Sequence, residues 1–270
     1  MKAIGKLLLL GLMMAGLVLP CYAEKIVIEG STTVLPIAQK AAEEFMDMHS
    51  GANLSVRGGG SSVGIASMID GTCDIADASR AIKDTELDKA MTNGRDPVAH
   101  IVAMDGIAVI VHPSSRINAL SKKQVKAIFT GQISDWSQVG GQPGKIVAIS
   151  RDSSSGTYEA FGELVLDKQK PRADALLQAS NQAVTQTVAR TPAAIGYVGL
   201  GYVSSSVKAL EIDGVMPSKE TVLSGKYPVT RPLFMYTNGQ PQGAIKEFMD
   251  FVKSEQGQRI AEEEGFVGLK

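Results

Sequence analysis

Three short segments rich in hydroxyl groups and glycine lie far apart in this chain: Gly30-Ser31-Thr32-Thr33, Gly58-Gly59-Gly60-Ser61-Ser62 and Ser153-Ser154-Ser155-Gly156-Thr157. Each precedes a stretch patterned as a helix. A helix start presents free backbone N–H groups and the positive end of the helix dipole, so three starts converging on one point would cradle a small anion. Serine and threonine also act as plain helix caps, worth about 1 kcal/mol each. Glycine separates the two uses. The triple glycine at 58–60 and the Ser-Gly-Thr at 155–157 let backbone approach a ligand closely, which capping does not require. Arg151, at the end of the preceding strand, offers a planar fork for two oxygens of a tetrahedral anion. Arg80, directly after Ser79, is a second candidate cation. The combined chemistry is that of an oxyanion receptor.

Other chemistries fail on their residue requirements. Gly58-Gly59-Gly60-Ser61-Ser62-Val63-Gly64 lacks the lysine of a nucleotide-binding loop and does not match the dinucleotide fingerprint. The serine cluster lacks a Gly-x-Ser-x-Gly elbow, and His49, His100 and His112 fall in no triad or metal spacing, so neither metal nor cofactor is expected. An exported phosphoester hydrolase with a serine nucleophile would need a base or metal ligands that the sequence does not supply. The 27 basic and 28 acidic residues balance, which gives no electrostatic case for nucleic acid.

The elements that position these segments follow from periodicity. Lys25 to Glu29 alternates as a strand, and Val34 to Met48 carries apolar residues at helical spacing. The unit recurs with a strand at Asn53 to Arg57 and a helix ending near Gly71. It appears a third time with a strand from Lys145 to Ser150 and a helix from Thr157. Asp74 to Ala78 reads as a strand, Lys83 to Met91 as a helix, and Ser121 caps a helix through Phe129. Gln182 to Arg190 is patterned as a helix, Ile195 to Val198 as a strand, and Ala244 to Ala261 as a helix broken near Gly257. Such alternation predicts an α/β architecture with largely parallel sheets and ligands at the carboxyl ends of the strands.

Two apolar stretches, Ile101 to Val111 and Val229 to Tyr236, are interrupted by Asp105-Gly106 and by Arg231-Pro232. They read as two hinge crossings. Residues 24–106 plus 232–270 would form one discontinuous domain and residues 107–231 the other, with the site in the cleft between them. Residues 1–23 read as a signal peptide: Lys2 and Lys6, an apolar run from Leu7 to Leu19, then Pro20-Cys21-Tyr22-Ala23, with cleavage after Ala23. The run is short for a membrane span, and no later segment is long and apolar enough. Lipid anchoring at Cys21 is the less favoured alternative because Pro20 fits a lipoprotein signal poorly. With Cys21 removed, Cys73 is the one cysteine left, so no internal disulfide forms.

Taken together, these segments resemble the periplasmic phosphate-binding protein of the high-affinity phosphate ABC transporter, the PstS family, over nearly the whole mature chain. Gly30 to Pro36 is similar to the family's first phosphate loop, Gly58 to Gly64 to its second, and Asp74 to Arg80 to its third contributing strand end. Arg151 to Thr157 is similar to the family's most specific segment. The resemblance implies a two-domain, type II venus-flytrap fold with the ligand cleft between domains. It also implies a monomer in the periplasm that binds inorganic phosphate and delivers it to membrane permease subunits, making and breaking no bond. Carried over, the ligand residues are Arg151, Ser155, Gly156 and Thr157, with Thr32 and Thr33 chosen from Ser31 to Val34, and Ser61, Ser79 and Arg80 completing the wall. Ile128 to Gly131 with Trp136, Ala194 to Tyr197 and Tyr227 to Leu233 match family landmarks outside the site. One departure stands out. Well-known members place an aspartate at the third strand end to accept a hydrogen bond from protonated phosphate, and Ser79-Arg80 stands there in this chain. Asp77 would replace it only if the strand end shifts register. The alternative ligands are other tetrahedral oxyanions such as sulfate or molybdate.

Overall fold

The computed structural model describes residues 25–269. The segment read as a signal peptide, including Cys21 and the Ala23 cleavage point, lies outside the described residues. Within them the chain runs β1 (Lys25–Gly30), α1 (Leu35–Met48), β2 (Asn53–Gly58), α2 (Ser61–Asp70), β3 (Ile75–Ala78), α3 (Asp84–Thr92) and β4 (Pro97–Val111). It continues through β5 (Ala119–Leu120), α4 (Lys122–Phe129), β6 (Val147–Arg151), α5 (Gly156–Leu164), β7 (Leu176–Gln178), α6 (Asn181–Arg190) and β8 (Ala194–Gly199). The last part is β9 (Lys208–Ala209), β10 (Glu211–Ile212), α7 (Lys219–Leu223), β11 (Thr230–Asn238), α8 (Gly243–Lys253) and α9 (Glu255–Glu263).

One sheet runs in the order β2-β1-β3-β11-β4-β8-β6-β7, with β9 on the side of β4. The expectation of largely parallel sheets holds at both ends and fails in the middle. β1 pairs in parallel with β2 and β3, and β6 with β7 and β8, whereas β4 and β11 run antiparallel to each other and to their outer neighbours. The chain traverses this centre once in each direction, so the two traversing strands meet with opposite polarity. β4 changes partner along its length, pairing with β11 up to Gly106 and with β8 from Ile107.

Helices cover both faces of the sheet. One face of β1, β3 and β11 is packed by α1, α8 and α9 through Ile28, Phe45, Phe248 and Ile260. The other holds α2 and α3 through Ile65, Met68 and Ala90. Across β4, β8 and β6, α4 and α5 cover one face with Phe129 and Phe161, and α6 covers the other with Val184 and Val188. These clusters sort on either side of Gly106 and Thr230. The first two draw on residues 26–103 and 233–266, the others on 107–229 plus Val267. Cys73 lies in the α2 cluster, and burial, followed by nearby carboxylates, pushes its thiol up to about 12.

The C-terminal helix breaks at Ser254 and not at Gly257. The Ser254 hydroxyl accepts the Gly257 N–H and caps α9, while a Cβ on Gly257 would stand 2.3 Å from the Phe251 carbonyl. Gly257 is therefore a packing glycine inside the helix. Among the described residues no helix is long and apolar enough to cross a membrane.

Candidate functional site

Each hydroxyl-rich segment sits where a strand hands over to a helix. β1 ends at Gly30, whose φ of +144° and approach to the Asp77 carbonyl exclude a side chain. The Ser31 hydroxyl turns back and accepts the Thr33 and Val34 N–H groups at 3.1 and 3.4 Å, closing the turn that leads into α1. That frees the Thr32 and Thr33 hydroxyls to face the neighbouring segments. β2 ends at Gly58, the Gly59 and Gly60 N–H groups bond to the Gly30 carbonyl, and Ser61 opens α2. β6 ends at Arg151, and the Ser155 hydroxyl caps α5 by accepting the Tyr158 N–H at 3.2 Å.

These pieces meet. Thr33 Oγ1 lies 3.0 Å from Thr157 Oγ1, Ser61 Oγ lies 3.3 Å from Ser79 Oγ, and the Ser79 N–H donates to Ser61 Oγ at 3.0 Å. Gly156 packs against the serine pair so closely that a Cβ there would stand 2.2 Å from Ser61 Oγ and 2.8 Å from Ser79 Oγ. Arg151 reaches in from β6. It donates from Nε to the Gln178 carbonyl at 3.0 Å and from Nη2 to the Ala179 carbonyl at 3.0 Å and Thr32 Oγ1 at 3.2 Å. Its Nη1 has no hydrogen-bond partner, and no carboxylate lies within ion-pair reach of it among the described residues. The residue is 1% exposed, and burial pushes the guanidinium below its ordinary value, opposed by Tyr197 and Asp152.

The structure brings Thr32, Thr33, Ser61, Ser79, Arg151, Gly156 and Thr157 together, with Ser155 beside them as a cap. It takes Arg80 elsewhere. The Arg80 fork pairs with both oxygens of Glu86 at 2.7 and 2.8 Å, and its Nε lies 2.8 Å from Glu159. Burial works against that cation too, but Glu86 and Glu159 outweigh it and hold Arg80 above its ordinary value. Asp77 also stays apart. β3 keeps an unshifted register against Gly30 and Met235, and neither Asp77 carboxylate oxygen has a partner among the described residues. Desolvation pushes this fully buried carboxyl well above the usual carboxylate range.

Comparison with known proteins gives this geometry a lineage. A family model described as the PBP superfamily domain matches residues 20–256. The phosphate-binding protein PstS of Bacillus subtilis is 35% identical over 89% of this chain and 79% of its own length. PstS of Borreliella burgdorferi is 34% identical over 92% and 91%. The chain belongs to the PstS family of phosphate-binding proteins. Solved structures agree. A substrate-binding protein assigned to a phosphate ABC transporter of Clostridium perfringens, with bound phosphate, superimposes with a TM-score of 0.85 at 32% identity. That match covers 92% of this chain and all of the other. An ABC-type phosphate transport receptor from Vibrio cholerae gives 0.75 at 30% identity over 90% of this chain and 100% of its own. The architecture is the type II periplasmic-binding-protein fold.

Three further residues of this PstS-family chain belong to the cluster and escaped the sequence reading. Asn181, the first residue of α6, donates from Nδ2 to Thr32 Oγ1 at 3.2 Å and to Thr33 Oγ1 at 3.0 Å. Arg231 holds Asp105 Oδ2 at 2.8 and 3.0 Å and extends to Thr33, Thr157 and the Ser79 carbonyl. The segment Tyr227 to Leu233, expected to lie outside the site, therefore enters it through Arg231. A signal was present. Asp105 and Arg231 are the charged interruptions of the two apolar stretches, and they face each other as register partners on β4 and β11.

Proposed function

We propose that this protein captures inorganic phosphate outside the cytoplasmic membrane as a monomer and hands it to the permease subunits of an ABC transporter, with no chemical step. The observation that carries the reading is Arg151. A guanidinium remains protonated at any physiological pH, so a buried one with an unpartnered Nη1 and, among the described residues, no carboxylate within ion-pair distance calls for an anion. Around it stand hydroxyls and the starts of α1, α2 and α5, all suited to donate to oxyanion oxygens. Residues 24–106 plus 232–270 would form one lobe and 107–231 the other, with β4 and β11 as the hinge. The separation of the hydrophobic clusters at Gly106 and Thr230 supports that division. A ligand touching both lobes would favour their closed arrangement. Within this reading the ligand residues are Thr32, Thr33, Ser61, Ser79, Arg151, Gly156 and Thr157.

Calorimetric titration with phosphate, sulfate and molybdate tests it. Phosphate binds, equimolar sulfate does not displace it, and Arg151→Ala weakens phosphate at least about a hundredfold, the loss of a buried charge-assisted contact of roughly 3 kcal/mol. Displacement by sulfate rejects the phosphate assignment, and an unchanged dissociation constant removes Arg151 from the site.

A further inference from the structure

Asn181 opens α6 and is fully buried, with 0% exposure. Its Oδ1 accepts the Gly199 N–H at 3.2 Å, which fixes the way the amide faces, because an NH2 group in that place would meet another donor. The Nδ2 side then faces the first loop, 3.2 Å from Thr32 Oγ1 and 3.0 Å from Thr33 Oγ1. An amide nitrogen carries two hydrogens, so each of these bonds has its own. Arg151 Nη2 also carries two, and they serve the Ala179 carbonyl at 3.0 Å and Thr32 Oγ1 at 3.2 Å. Thr32 Oγ1 therefore accepts twice, once from Asn181 and once from Arg151, and both its lone pairs are used. What remains is its own proton, which has no acceptor among the described residues. Thr33 is ordered less, since Asn181 fills one lone pair and the bond to Thr157 can run either way.

We propose that Asn181 is a positioning residue that, together with Arg151, makes the Thr32 hydroxyl a dedicated donor to the bound oxyanion. This rests on the phosphate reading above. A hydroxyl with both lone pairs occupied cannot take a proton from the ligand, so the phosphate oxygen that meets Thr32 is an unprotonated one. Thr32 comes from the loop after β1, whereas Asn181 and Arg151 come from α6 and β6 across the proposed cleft. Closing the lobes brings both donors to Thr32, and the hydroxyl is set in its donating state as the cleft shuts. A preset donor needs no reorientation when the ligand is held, which is where preorganisation raises affinity.

Calorimetric phosphate titrations arranged as a double-mutant cycle separate this role from a structural one. Asn181→Leu removes the amide donor without adding charge and weakens phosphate about fivefold. In a Thr32→Val background the same substitution costs under about twofold, because the ordered hydroxyl is already gone, whereas in a Thr33→Val background the factor stays at about fivefold. Asn181→Asp keeps an acceptor for the Gly199 N–H and carries the cycle should the leucine variant fail to fold. Its added charge repels phosphate in every background alike and divides out of the comparison. Equal factors with and without the Thr32 hydroxyl, a factor lost with Thr33 instead, or an unweakened Asn181→Leu variant overturn the proposal. Failure of the unsubstituted protein to bind phosphate is a separate result and defeats the phosphate reading itself.

Discussion

Among the described residues Arg151 and Asp77 are both buried without an ion-pair partner, and the two respond to burial in different ways. The guanidinium has no accessible neutral form, so its cost persists until an anion arrives. A carboxyl escapes by taking up a proton, and desolvation holds Asp77 well above the usual carboxylate range. The sign of its effect on stability follows. A carboxyl whose folded-state pKa is raised supports the fold below the unfolded value, here the ordinary 3.8, and loses that support as pH rises through the folded value. Asp77→Asn, neutral at every pH, is therefore expected to raise the thermal midpoint at pH 8 by an amount equivalent to about 1–3 kcal/mol. The gain shrinks towards zero near pH 4. Thermal melts at the two pH values check this, and a gain independent of pH would show that ionisation of Asp77 is not involved. At this scale the sequence displayed Arg151 openly, because a strand end before a hydroxyl-rich helix start is a contiguous pattern. The isolation of Asp77 was hidden, because a missing partner is a property of space.

The repeated strand, loop and helix is the working element, and glycine decides how near its parts come. At Gly156 the backbone is ordinary helix, so alanine fits the chain itself and even favours α5. What alanine does not fit is the contact, since its Cβ would enter the Ser61 and Ser79 hydroxyls. Gly156→Ala is expected to lower stability by about 1–3 kcal/mol, read as a fall in the thermal midpoint, because buried Ser61 and Ser79 must shift, and to weaken phosphate by about tenfold or more. An unaffected affinity would mean that the close approach has no bearing on the ligand. Most elements were legible from apolar period and caps, as with Ser121 on α4 and Gly71 after α2. The polarity of β4 and β11 was not. A buried strand reads as the same apolar run whether its neighbours are parallel or antiparallel.

Across the whole molecule, the contacts that join the proposed lobes extend beyond the hydroxyl cluster. Glu159 on α5 faces Arg80 Nε at 2.8 Å, Lys83 Nζ at 2.6 Å and Ser62 Oγ at 3.1 Å, while Ser154 Oγ donates to the Gly59 carbonyl at 3.0 Å. If the lobes open about β4 and β11, these bonds exist in the closed arrangement alone, and they bear on affinity without touching the ligand. Glu159→Gln is expected to weaken phosphate about fivefold through faster release, and to reduce the sensitivity of release to added salt. Stopped-flow dissociation at low and high salt measures both. Unchanged rates would confine Glu159 to a surface role.

Residue type, local spacing and apolar period determined the alternating elements, the three anion-ready loops and the prominence of Arg151, because each of these is a property of contiguous chain. The tertiary structure alone decided which polar groups meet. Thr33 lies 124 residues from Thr157 and 198 from Arg231, and nothing in either neighbourhood announces the other. Arg80 stood as a second candidate cation while only its own segment was in view. Folding then set Glu86 and Glu159 against one arginine and, among the described residues, no carboxylate within ion-pair distance of the other. A buried charge is stabilised by whatever opposite charge the fold brings within a few ångströms, and that pairing, more than the residue's identity, separates a structural arginine from one left to hold an anion.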